Sequence, residues 1–252
     1  MTVLGAYLPA YGEEPYPIEQ LPGDLLTHIF YAFATVRDGR LTLPSRAPAE
    51  VAAIRRAYPH LRIVLSVGGW GADGFSDAAL TPASRAAFVA ECLSLAGDFD
   101  GVDLDWEFPV SGGPDEVTHR PEDRRNCTLL ARAFRAELGT DRLLTAALPA
   151  GRLQSAGPYD PAESYELAEL AEILDFVNLM TYDFGTGFSP VATFNAGFAE
   201  VGDDPLAPEL RASNNVTGAV DYYVRLGVPR DKLVLGVPFY GRGFTVADPG
   251  EQ

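Results

Sequence analysis

Asp103, Asp105 and Glu107 recur at every second position of the stretch Asp100-Gly101-Val102-Asp103-Leu104-Asp105-Trp106-Glu107-Phe108-Pro109. In an extended strand alternate side chains share a face, about 6.6 Å apart. One face therefore carries three carboxyl groups, and the other carries Val102, Leu104 and Trp106. An ordinary amphipathic strand would turn such acids to water. The neighbours argue for enclosure instead: Phe99 leads in, Trp106 and Phe108 crowd the run, and Pro109 stops it. Three enclosed carboxyl groups cannot all ionise comfortably, so at least one must keep its proton above the usual range. A protonated carboxyl beside an ionised one supplies a general acid near neutral pH.

Three further clusters could serve that acid. Ser66-Val67-Gly68-Gly69-Trp70 closes an apolar run, and its glycines could be no more than a strand-to-loop turn. Met180-Thr181-Tyr182-Asp183 ends another, where a Tyr and an Asp could be polar trim. Tyr240-Gly241-Arg242 ends a third.

The elements that must position these groups alternate in type. Strand-like runs fall at residues 3–9, 28–36, 62–67, 100–107, 143–150, 176–184 and 233–240. Helical spacing fills residues 48–58, 82–96, 121–138, 164–174 and 216–226. Strands separated by helices, never by a hairpin turn, predict parallel βαβ units and an α/β barrel of the (β/α)8 type. Its catalytic groups belong at the C-terminal ends of the strands. Residues 186–213 form a long Gly- and Asn-bearing loop, expected to contact a ligand. His28 reads as a satisfied strand-start histidine.

With 252 residues, 47% hydrophobic and 21% charged, the chain fits one large globular domain. A net charge of −16 argues against nucleic acid or an anionic membrane as partner and suits a neutral or cationic polysaccharide. Cys92 and Cys127 predict neither a disulfide framework nor a metal site, and read as core residues. No apolar run reaches transmembrane length. Met1 leads straight into a strand-like run, so no leader is expected; the chain reads as cytoplasmic as given, or exported if it is a mature or shortened form.

Asp100, Asp103, Asp105 and Glu107, with Gly101 and Trp106, resemble the D-x-x-D-x-D-x-E signature of glycoside hydrolase family 18, the chitinases and their relatives. Ser66-x-Gly68-Gly69-Trp70, Met180-x-Tyr182-Asp183 and Tyr240-x-Arg242 resemble its other signatures. The resemblance implies hydrolysis of chitin or chitooligosaccharides without metal or cofactor, by a substrate-assisted route. Glu107 would be the acid and base, Asp105 would hold the acetamide N–H, Asp103 would share a proton behind it, and Tyr182 would orient the acetamide oxygen. Ser66 would bond Asp103, with Asp100 a further supporting residue, and Gly69 would make room for a sugar stacked on Trp70. Tyr7, Phe33, Phe108, Met180, Asp183, Tyr240 and Arg242 would line the substrate site, Arg242 also bonding Asp183. A tyrosine hydroxyl frequent in the family is missing at Ala6. The eighth strand and a small α+β insertion are also missing, so the resemblance implies a shortened, less stable barrel with open edges. Three alternatives stay open: an endo-β-N-acetylglucosaminidase acting on N-glycans, a non-catalytic lectin, and an inactive fragment.

Overall fold

The structure, a computed structural model, describes residues 2–11, 14, 16–37, 40–154 and 159–245. In chain order, β1 (Gly5–Pro9) leads through a 3-10 turn (Ile18–Gln20) to β2 (His28–Arg37), which pairs with the short β3 (Arg40–Thr42). Helix α1 (Ala47–Ala57) precedes β4 (Arg62–Gly68), and α2 (Phe75–Leu80) and α3 (Pro82–Leu95) precede β5 (Gly101–Asp105). Then come α4 (Asp123–Leu138), β6 (Leu143–Pro149), α5 (Pro161–Ser164), α6 (Leu167–Ile173) and β7 (Phe176–Met180). The chain continues through α7 (Pro208–Ser213), α8 (Val216–Arg225) and a 3-10 turn (Arg230–Lys232) into β8 (Leu233–Leu235).

Strands β1, β2, β4, β5, β6, β7 and β8 lie side by side in chain order, every neighbouring pair parallel. This is the expected α/β barrel, incomplete: among the described residues β1 and β8 are not paired with each other. The sheet is nevertheless strongly curled. Asn178 on β7 reaches Tyr7 on β1, five strands away, at 3.0 Å.

Two cores follow from the strand pleat. Side chains pointing outward, such as Ile63, Leu65, Val102, Leu104 and Leu144, pack under the helices in one large apolar cluster. Those pointing inward at the strand starts, Phe30, Val64 and Phe176, plug the foot of the barrel. Helix ends obey local chemistry. Thr81 and Ser84 form a reciprocal capping box ahead of Pro82 on α3, and the Asn215 side chain accepts the Gly218 N–H on α8. Cys92 and Cys127 are free and buried, as expected of core residues, and burial pushes both thiols up to about 12. His28 is buried and bonds the Thr27 hydroxyl at 2.8 Å. Among the described residues no helix is long and apolar enough to cross a membrane.

The sequence-based elements need five corrections. The acid strand ends at Asp105, so Glu107 lies beyond it rather than within it. The strand expected over 176–184 stops at Met180, and that expected over 233–240 stops at Leu235. The helix expected over 164–174 is split at Tyr165 and Glu166 into α5 and α6. The β2–β3 pair is antiparallel, against the expectation of parallel neighbours alone.

Asp100 also departs from its expected place. It precedes β5, at the end of the strand remote from Glu107. There its carboxylate accepts the Ile63 backbone N–H at 2.7 Å and the Arg55 guanidinium at 3.0 Å. It joins the feet of β4 and β5 and takes no part in the acid cluster. Asp100→Ala is therefore expected to lower unfolding stability by about 2 kcal/mol, read from the urea midpoint at pH 7.

Candidate active site

Asp103 has no solvent exposure. A carboxylate so placed is tolerable only with compensating donors. It has four, from four strands. Tyr7 on β1 and Ser66 on β4 donate their hydroxyls to Oδ2 at 2.9 and 2.7 Å. Thr145 on β6 and Asn178 on β7 donate to Oδ1 at 2.6 and 3.2 Å. Register brings the first neighbours together, since Ser66 and Thr145 lie opposite Asp103 across the sheet. Burial still raises the Asp103 pKa, against the pull of these four bonds.

Asp105, two residues on, is buried too, but its Oδ1 has no hydrogen-bond partner among the described residues. Desolvation raises its pKa well above the usual range, and the charges of Glu107 and Asp103 push it further. Of the two aspartates, the one with an orphan oxygen is pushed up further than the one with four donors. Glu107 is raised to about 8, by desolvation first and then by the charge of Asp183. Burial thus raises all three carboxyl groups of the row, the direction expected of enclosure.

The rim is built from strand ends. Gly68, at φ +116°, lies against the Asp105 carbonyl, which a Cβ would meet at 2.1 Å. Gly69, at φ +90°, has the Phe33 ring 2.8 Å from where its Cβ would stand. A side chain at either position would collide with the Asp105 backbone or the Phe33 ring. A register shift between Ala32 and Ala34 on β2 places Phe33, whose ring also lies 6.5 Å from that of Tyr7. Trp70 follows with 55% of its surface exposed, free to offer a face to a ligand. Met180 ends β7, partly exposed, two residues beyond Asn178 and on the same face.

Tyr182 packs edge-on against Tyr240 at 6.2 Å. Desolvation, then the charges of Asp105 and Glu107, hold its hydroxyl firmly protonated, a donor facing the acids. Arg242 donates to one oxygen of Asp183 from Nε at 2.8 Å and from an amino nitrogen at 2.5 Å. The Asn195 side chain of the long loop accepts the Asp183 N–H at 3.2 Å and donates to the Tyr240 carbonyl at 3.2 Å. That loop therefore fastens the rim.

The chain matches the model of the glycosyl hydrolases family 18 over residues 6–252. It belongs to that family. Among curated relatives it is 40% identical over 206 residues to "Chitinase A1" of Niallia circulans, covering 76% of this chain and 28% of the relative. It is 36% identical over 247 residues to "Chitotriosidase-1" of Mus musculus, covering 91% and 50%. The solved chitinase domain of the spore coat protein CotE from Clostridium difficile superposes with a TM-score of 0.81 at 33% identity, covering 96% of this chain and 66% of that one. The chain thus spans half or less of these two curated relatives.

For a family 18 chain, the structure gathers most of the residues singled out from sequence. Asp103, Asp105, Glu107, Ser66, Tyr7 and Tyr182 share one cluster, with Phe33, Gly69, Trp70, Met180, Asp183, Tyr240 and Arg242 along the strand ends around it. Phe108 is a correction. It is 1% exposed, wedged between Trp70 at 6.3 Å and Tyr159 at 5.4 Å, and has no face for substrate. Tyr7 is 40% exposed and donates its hydroxyl to Asp103, supplying a bond that the missing tyrosine at Ala6 had left in doubt. Sequence reasoning missed Thr145, Asn178 and Asn195. The first two are lone polar residues inside buried apolar strands, a signal that could have found them.

Because Glu107 titrates near pH 8 when folded and near the ordinary carboxyl value when unfolded, the native state binds the extra proton between those limits. Stability must therefore fall as pH rises through that window. Glu107→Gln removes this dependence. At pH 9 the variant is expected to be more stable than the parent by on the order of 3 kcal/mol, and at pH 4 equal to it, by urea denaturation at both pH values.

Proposed function

We propose that the chain hydrolyses β-1,4-linked N-acetylglucosamine polymers, chitin and chitooligosaccharides, with retention and by substrate assistance. The observation that carries this is Glu107, a carboxyl held protonated to about pH 8 beside a buried aspartate with an unpartnered oxygen. The similarity to "Chitinase A1" and "Chitotriosidase-1" supports the same substrate class.

Glu107 donates its proton to the glycosidic oxygen as the bond from that oxygen to the anomeric carbon breaks. The acetamide oxygen of the same sugar attacks that carbon from the opposite face, giving an oxazolinium ion. No protein nucleophile is required. The acetamide N–H bonds Asp105 Oδ1, which is otherwise without a donor, and this steadies the positive charge. Tyr182 donates to the acetamide oxygen and aims it. Water then attacks the anomeric carbon, giving its proton to the Glu107 carboxylate, and the product leaves with its original configuration. Trp70 offers an exposed apolar face to a pyranose ring. Arg242, half exposed and anchored on Asp183, keeps donors free for sugar hydroxyls.

The test is release of a fluorophore from a chitotriose conjugate by the 252-residue chain. Turnover is expected, about 10³-fold lower in Glu107→Gln. The parent's kcat/KM should decline above pH 8 or so, as Glu107 loses the proton it must donate. Chitooligosaccharide binding without turnover would overturn the enzyme in favour of a lectin. Cleavage of N-glycans in preference to chitotriose would reassign the substrate.

A further inference from the structure

Hydrogen-bond direction around Asp103 is decided by one side chain. The Asn178 amide faces the Tyr7 hydroxyl oxygen at 3.0 Å and Asp103 Oδ1 at 3.2 Å. A carboxylate accepts only, so the group turned toward it must be the amide nitrogen, and that nitrogen has two hydrogens and no lone pair to offer. One hydrogen goes to Asp103. The other goes to Tyr7, whose oxygen must accept it. The single Tyr7 proton then has one way to point, onto Asp103 Oδ2 at 2.9 Å. Ser66 and Thr145 complete two donors on each carboxylate oxygen. A proton arriving on Asp103 would have to displace one of them.

We infer that Asn178 is a positioning residue that fixes the polarity of this network, holding Asp103 ionised so that a proton taken up by the two aspartates goes to Asp105. The inference rests on the proposed chitin hydrolysis only for its kinetic consequence. The titratable groups that face the pair are Tyr7 from β1, Glu107 beyond β5 and Tyr182 beyond β7. The facing side chains of β4 and β6, Ser66 and Thr145, are uncharged. Without the amide, Asp103 loses one donor directly, and Tyr7 is no longer compelled to donate.

The experiment is a carboxyl titration by NMR of protein labelled with ¹³C-aspartate, with the Asp103 signal assigned from Asp103→Asn. Parent, Asn178→Ala and Asn178→Ser are compared; the serine variant keeps a polar side chain in place should the alanine variant fail to fold. The Asp103 midpoint is expected to rise by about one pH unit in the variants. In kinetics the acidic limb of kcat/KM should move up with it, while the basic limb, set by Glu107, stays still and KM changes less than kcat. An Asp103 midpoint unchanged in a folded variant overturns the inference, whatever the loss of activity. If the parent proves inactive on chitooligosaccharides, the proposed function fails, yet the titration still decides the role of Asn178.

Discussion

The fold is arranged around a carboxylate that has no access to water. Removing Asp103 from solvent is costly unless donors replace the lost hydration. Those donors come from β1, β4, β6 and β7, while the acid itself sits on β5. A flat sheet could not supply them, because β1 and β7 lie five strands apart in the sheet order. The curl that carries Tyr7 to Asn178 is therefore the geometric condition for burying the charge. The parallel register does the rest, placing Ser66 and Thr145 level with Asp103 on its two flanks.

Depth along the barrel sorts the chemistry. At the foot, Phe30, Val64 and Phe176 form an apolar plug. Asp103 sits one layer above them, and Asp105 and Glu107 follow toward the rim. The fixed donors thin out from Asp103 to Asp105. Asp103 has four partners, while Asp105 has an oxygen with none. Glu107 lies past the strand end, partly exposed. The innermost group is anchored by four donors and the outermost is raised to about 8, the order that the proposed proton delivery to a bound ligand requires.

The acid spacing, the strand–helix alternation and the four motif clusters were legible in the sequence because each is a local pattern. What was not legible depends on distant partners. Glu107 was read as part of the strand because alternation continues through it, but pairing with β6 ends at Leu104 and with β4 at Asp105. Phe108 looked like a wall of the site, and only the flanking rings of Trp70 and Tyr159 show that it is core. Asp100 shares the acid motif but precedes the strand and points at Arg55 and Ile63. Helix α2 has six residues, too few for a helical repeat to show, and it forms where Phe75 can stack on Trp106 at 5.3 Å. Thr145 and Asn178 matter through bonds that cross 42 and 75 residues to Asp103, and no window along the chain contains both ends.

The rim carries a tension that its geometry resolves. The Asp183 carboxylate helps hold the Glu107 proton, yet an unpartnered anion there would be costly. Arg242 meets only one of its oxygens, from a guanidinium that remains 39% exposed. Water screens such a pair strongly, so Arg242 tethers the carboxylate without cancelling its effect on Glu107. Asn195 fixes the Asp183 backbone from the other side, at a position whose φ of +55° few residues other than glycine, asparagine or aspartate adopt readily. The long loop and the segment after β8 thus act on the acid indirectly, by deciding where a neighbouring charge stands. Substitutions in either are therefore expected to alter the proposed proton delivery without touching the three carboxyl groups of the acid row.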